Sequence, residues 1–109
     1  MDLALKAIAE PRRRKILRLV RVDELSSGEI AAQFDVTGPA ISQHLGVLKE
    51  AGLVTERRAG TRRLYRARPE GLRDLRAFLE DFWDDGLDRL RTAAEQDQRR
   101  ADAHQQGDD

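Results

Sequence analysis

The chain has 109 residues, 37% of them charged and 5% aromatic, enough for one domain with a single modest core. Its 20 basic and 20 acidic residues cancel, but unevenly: residues 1–68 carry 14 Lys/Arg against 8 Asp/Glu and residues 69–109 carry 6 against 12, so attraction to a polyanion is expected of the N-terminal part. Cysteine is absent, which excludes disulfides, thiolate metal sites and cysteine nucleophiles, and neither a membrane-length apolar run nor a secretory signal is found, making the cytoplasm the default compartment.

Leu3, Leu5, Ala7 and Ile8 predict a short apolar helix ending before Glu10. A second helix begins at Pro11, where proline is tolerated in a first turn. Ile16, Leu17 and Val20 are its buried side, and Arg12, Arg13, Arg14 and Lys15 give it a dense basic start. Such a run is ordinarily a solvated face; here it also supplies candidate phosphate contacts. Ser26 caps a third helix, and Glu29 three residues later completes a capping box. Its apolar side is Ile30, Ala31 and Phe34.

Residues 37–52, TGPAISQHLGVLKEAG, form the stretch on which the rest depends. Thr37 is placed to cap a helix in which Ile41, Leu45 and Leu48 recur at steps of four and three, giving an apolar back. Ser42, Gln43 and Lys49 lie off that stripe. A short helical pattern joined to this one through Asp35, Val36 and Thr37 is compatible with a helix-turn-helix, which puts Ser42, Gln43 and His44 on its DNA-facing element. Residues 53–58 and 62–67 then read as two strands turning around Gly60. Arg57 and Arg58 enter the tip and Arg62 and Arg63 leave it, as expected of a wing that reaches phosphates or a minor groove.

Pro69 introduces a long helical pattern running to about Glu95, with Leu72, Leu75, Leu79, Phe82 and Trp83 among its apolar positions. One side is expected to pack on the body and part of the remainder on a second subunit. The division expected is one domain over residues 1–95 and a polar, disordered tail over 96–109. The fold class is mainly α with a small β-hairpin: a winged helix-turn-helix with a long C-terminal dimerisation helix.

The order of these motifs resembles the ArsR/SmtB family of bacterial winged-helix transcriptional regulators. The likeness covers about residues 4–90 and rests on ALKAIAEPRRRKILRLV, ELSSGEIAAQF, PAISQHLGVLKEAGLV and ERRAGTRRLYRA in register. It implies a homodimer joined through its first and last helices, with Leu3, Leu72, Leu75, Leu79, Phe82 and Trp83 as interface candidates. It also implies paired recognition helices on a pseudo-palindromic operator, and repression relieved by an inducer. Thr37, Ser42, Gln43 and His44 become candidates for base or phosphate contact, Lys49 an electrostatic contact, and Arg57, Arg58, Arg62 and Arg63 wing contacts. Gln43 has the chemistry to pair with adenine.

The resemblance departs at the metal sites. Thiolate-sensing relatives carry Cys-x-Cys where this chain has Ser26 and Gly28. Another class uses an aspartate, histidines and a glutamate of the last helix; here that stretch offers Glu80, Asp81, Asp84 and Asp85 without histidine, and His104 stands alone in the tail. No metal or other cofactor is therefore expected. The partners expected are double-stranded DNA, a second copy of the chain and a small-molecule or protein effector, with no membrane. The competing reading is a winged-helix adaptor that captures an acidic protein and has only nonspecific affinity for DNA. Catalysis is not expected, since neither histidine lies in a serine triad and no phosphate-cradling glycine loop of the P-loop form is present.

Overall fold

The computed structural model describes the backbone of residues 1–107 and the side chains of residues 1–103. Met1–Arg76 pack as one unit, and the chain from Ala77 onward constitutes a second. In the first unit, α1 (Asp2–Ile8) and α2 (Pro11–Val22) precede a two-residue strand β1 (Leu25–Ser26). Then follow α3 (Ser27–Ala31), α4 (Gly38–Glu50), β2 (Val54–Ala59), β3 (Arg62–Ala67) and the start of α5 (Pro69–Gly107). This is the expected mainly helical winged helix-turn-helix, with one addition. β1 pairs antiparallel with β3, Leu25 opposite Tyr65 and Ser26 opposite Leu64, so the hairpin is two strands of a three-stranded sheet ordered β1-β3-β2. Two residues are too short to show a period of two, which is why this strand reads as a connection in the sequence.

The helix boundaries follow from their caps. Glu10 accepts from the Arg12 amide at the start of α2. Ser26 and Glu29 form the reciprocal capping box at the start of α3, each bond 3.1 Å long. Thr37 Oγ1 accepts from the Ala40 amide at 3.2 Å and opens α4. The exit of α4 is a Schellman turn: the Leu53 amide donates to the Leu48 carbonyl and the Gly52 amide to that of Lys49. Gly52 holds φ +76° there, a conformation that costs glycine little and side chains more. Leu48 and Leu53, the two residues this motif brings together, are both completely buried.

Ile16, Val20, Ile30, Ile41, Leu45, Leu48 and Leu53 are the large buried side chains, and they come from α2, α3, α4 and the turn into β2. Burial of each contributes about 1.5–3 kcal/mol. The apolar back of α4 is thus anchored at three points, leaving its polar front to solvent. Leu75 joins the same cluster, and Leu72 packs against it. These two expected interface residues therefore serve their own subunit's core; helical spacing identifies a covered face without saying what covers it.

The second unit is helical to Gly107, so the described part of the tail expected from residue 96 continues the helix. Apolar periodicity reports burial, whereas Gln, Arg and Ala sustain a helix without it. Local pairs assist, among them Arg100 with Asp97 and Gln98 with Asp102. Leu79, Phe82, Trp83, Leu87 and Leu90 are exposed on this helix. Residues 108 and 109 lie outside the described residues. No helix among the described residues is long and apolar enough to cross a membrane.

Candidate nucleic-acid interface

Because Ile41, Leu45 and Leu48 face inward, the intervening positions of α4 are presented outward. Thr37, Ser42, Gln43 and Lys49 are all exposed. His44 is not among them: its Nδ1 lies 3.3 Å from Nη1 of Arg13, its Nε2 3.8 Å from Glu10 Oε2, and its side chain is 18% exposed. The imidazole thus faces the start of α2. With Arg13 donating to Nδ1, the remaining proton belongs on Nε2, toward Glu10.

The basic run at the start of α2 is largely engaged within the fold. Arg13 donates from Nε to the Ala7 carbonyl at 2.7 Å and from Nη2 to that of Lys6 at 3.0 Å, and Arg14 donates to the Ile8 carbonyl at 2.7 Å. These guanidiniums satisfy carbonyls at the end of α1, where a helix leaves acceptors unpaired and its dipole favours cations. Lys15 donates to the Gln33 carbonyl at 2.7 Å with its ammonium 4.5 Å from the centre of the Phe34 ring. Arg12 bonds to no carbonyl among the described residues through its side chain, which is 54% exposed and 4.0 Å from Glu10.

In the wing, cross-strand pairing of Arg58 with Arg63 and of Ala59 with Arg62 leaves Gly60 and Thr61 as the turn. Side chains alternate across a strand, so Arg58 and Arg63 share one face with Glu56 and Tyr65, while Arg57 and Arg62 share the other. On the first face Glu56 accepts from Lys49 of α4 at 3.4 Å and pairs with Arg63 at 3.6 Å. Burial, followed by the charge of Glu56, raises the Tyr65 phenol above its ordinary value. On the second face Arg57 forms a two-bond fork with Glu24, at 2.8 and 2.5 Å, and Arg62 pairs with Glu29. Glu24 and Glu29 are the residues that sequence reasoning passed over. Glu29 was visible only as a cap, and Glu24 becomes significant only when β1 brings it beside the wing. Among the described residues, no group of three or more His, Cys, Asp or Glu side chains gathers as a metal site.

A recognition helix with a buried apolar back and an exposed polar front, preceded by a capped short helix and followed by an arginine-edged hairpin, defines a winged helix-turn-helix DNA-binding protein. The family model for the bacterial regulatory proteins of the arsR family matches residues 10–56, and the chain belongs to that family. It is 48% identical over 82 residues to the HTH-type transcriptional regulator Rv2034 of Mycobacterium tuberculosis, covering 75% of this chain and 77% of that one. It is 35% identical to the transcriptional repressor SdpR of Bacillus subtilis, over 79% of this chain and 96% of the relative. Among solved structures, one described as "Possible transcriptional regulator for arsenical resistance" superposes with a TM-score of 0.73 at 49% identity, covering 80% of this chain and 91% of its own. The homodimeric winged helix-turn-helix DNA-binding domain of Mb0332 from Mycobacterium bovis gives 0.63 at 34% identity, over 77% and 78%. The chain is a DNA-binding transcriptional regulator, and its family is not one of enzymes.

Proposed function

We propose that the protein is a homodimeric repressor that occupies a pseudo-palindromic operator, its own promoter included, and is released by a non-metal signal. The observation that carries this reading is the exposed front of α4, with Ser42 and Gln43 open to solvent above a fully buried Ile41 and Leu45. Such a helix enters a major groove with hydrogen-bonding side chains leading, and Gln43 matches the N6/N7 edge of adenine. Thr37, Lys49, Arg58 and Arg63 serve as flanking contacts to the backbone, with Arg12 beside them. His44 acts through Arg13, holding the recognition helix against α2.

Dimerisation is supported by apolar side chains left open in each unit. Leu3 on α1 is 55% exposed, and on α5 Phe82 and Trp83 are 69% and 63% exposed. The similar Mycobacterium bovis domain is homodimeric, and the similar Bacillus subtilis protein is a repressor. A non-metal signal is supported by what occupies the place of the Cys-x-Cys pattern, since Ser26 there is spent on capping α3. Beside it, a groove of about 550 Å³ lined by Leu19, Val22, Leu25, Glu29 and Gln33 has the volume of a small-molecule site.

Selection of bound fragments from genomic DNA, followed by footprinting, tests the proposal. A protected site with two inverted half-sites, their centres about 34–36 Å apart or a multiple of that, is expected. Protection without symmetry, or none, contradicts it.

A further inference from the structure

The four arginines of the wing are not equivalent. Strand alternation sends Arg57 and Arg62 to one face, and each meets a carboxylate supplied from outside the hairpin. Glu24, in the connection between α2 and β1, takes the Arg57 fork through both of its oxygens. Glu29 takes Arg62 through Oε1, the same oxygen that accepts from the Ser26 amide. On the opposite face Arg63 shares Glu56 with Lys49, and Arg58 has no carboxylate partner among the described residues.

A guanidinium paired with a carboxylate has its charge offset, and in the two-bond fork of Arg57 its hydrogen-bonding edge is filled as well. A phosphate gains it only by displacing the carboxylate, whose own negative charge then lies close to the backbone. Affinity for arbitrary DNA scales with the number of phosphates neutralised, whereas base reading by α4 does not depend on that number. Cancelling part of the wing's charge therefore lowers nonspecific binding more than it lowers discrimination.

We propose that Glu24 and Glu29 are guard residues that hold Arg57 and Arg62 away from the DNA backbone and so limit the charge-driven affinity for any duplex, leaving Arg58 and the more loosely paired Arg63 as the wing's reaching pair. The proposal rests on the DNA-binding reading of the wing and names a device within it. Both carboxyls are held below their ordinary value, Glu24 mainly by its bond from Arg57 and Glu29 mainly by that from the Ser26 amide, so both are charged wherever the protein binds DNA.

The test uses Glu24→Gln and Glu29→Gln in the full chain, with binding to a selected operator and a scrambled duplex measured across a salt series. Glutamine at position 29 retains the capping box, so folding is preserved while the charge is lost. Each freed arginine is expected to steepen the dependence of log affinity on log salt by about 0.9. That enlarges the affinity gained between 200 and 50 mM salt about 3.5-fold, for operator and scrambled duplex alike, and leaves the operator-to-scrambled ratio unchanged. Glu50→Gln, an exposed glutamate of α4, controls for simple removal of negative charge and leaves the slope unchanged. In an Arg57→Ala background, Glu24→Gln has no further effect, while Glu24→Asp in the native background restores native behaviour. An unchanged slope, or a gain that persists without Arg57, overturns the proposal. Salt-independent binding by the unsubstituted protein overturns the DNA reading itself, and the guard with it.

Discussion

Nη1 of Arg13 stands 3.3 Å from Nδ1 of His44, joining the second helix to the recognition helix. The same guanidinium donates to the Lys6 and Ala7 carbonyls, so one side chain ties together α1, α2 and α4. His44→Ala is expected to weaken binding to operator and scrambled DNA by similar factors and to lower stability by about 0.5–1.5 kcal/mol, the net worth of a hydrogen bond. A panel of single-base operator variants checks it: the profile of preferences keeps its shape when His44 is replaced.

Gln43 is expected to behave in the opposite way. Its side chain is exposed and has no hydrogen-bond partner among the described residues, so Gln43→Ala leaves stability within about 0.5 kcal/mol of native. The loss, about 1–3 kcal/mol, falls on one base pair per half-site. The same base panel reads this as a single position losing its preference.

The carbonyl oxygen of Gly52 lies only 1.9 Å from where a β-carbon on Gly71 would be built, so the first turn of α5 and the exit of α4 meet backbone to backbone. Gly71→Ala must push these elements apart, and more than about 2 kcal/mol of stability should be lost, in the range of overpacked cores. Urea unfolding measures it as a lowered midpoint with an unchanged slope.

Acid should expose the wing's carboxylates. Glu24 and Glu29 have folded pKa values below their ordinary 4.5, so their contribution to stability is present above that value. It is lost as pH falls from about 4.5 through the lower folded values, because the unfolded chain then binds more protons. Thermal unfolding from pH 6 to pH 3 is expected to show a shallower acid decline in Glu24→Gln than in the native chain.

Much of this fold was legible in the sequence because its signals are local. Ser26 and Glu29 announce a capping box, Thr37 an N-terminus, and Ile41, Leu45 and Leu48 an inward face. Each is written within a few residues. What was not legible depends on residues far apart in the chain. His44 shares a helix with Gln43, and only the approach of Arg13, 31 residues earlier, turns it inward. Arg57 and Arg58 are neighbours in a charged run, yet they differ once Glu24 arrives through β1. Leu75 and Phe82 belong to one apolar pattern, and tertiary packing alone separates a buried residue from an exposed one.

Exposed apolar residues on α5 motivate the dimer. Phe82→Glu with Trp83→Glu is expected to raise the dimer dissociation constant at least about tenfold, equivalent to 1.4 kcal/mol. The folded monomer should keep its helical content, since neither side chain belongs to the core cluster. Sedimentation equilibrium distinguishes this from an unchanged dimer, the result that refutes an interface on this helix.

The central claim, selective DNA recognition by α4 supported by a wing of limited charge, is tested most directly by fluorescence anisotropy. The duplex upstream of the protein's own gene is compared with a scrambled duplex of equal length from 50 to 200 mM salt. Saturable binding at two chains per upstream duplex is predicted, at least about 10³-fold tighter than to the scrambled one, with both affinities falling as salt rises. Equal affinity for the two duplexes, insensitive to salt, would contradict the account.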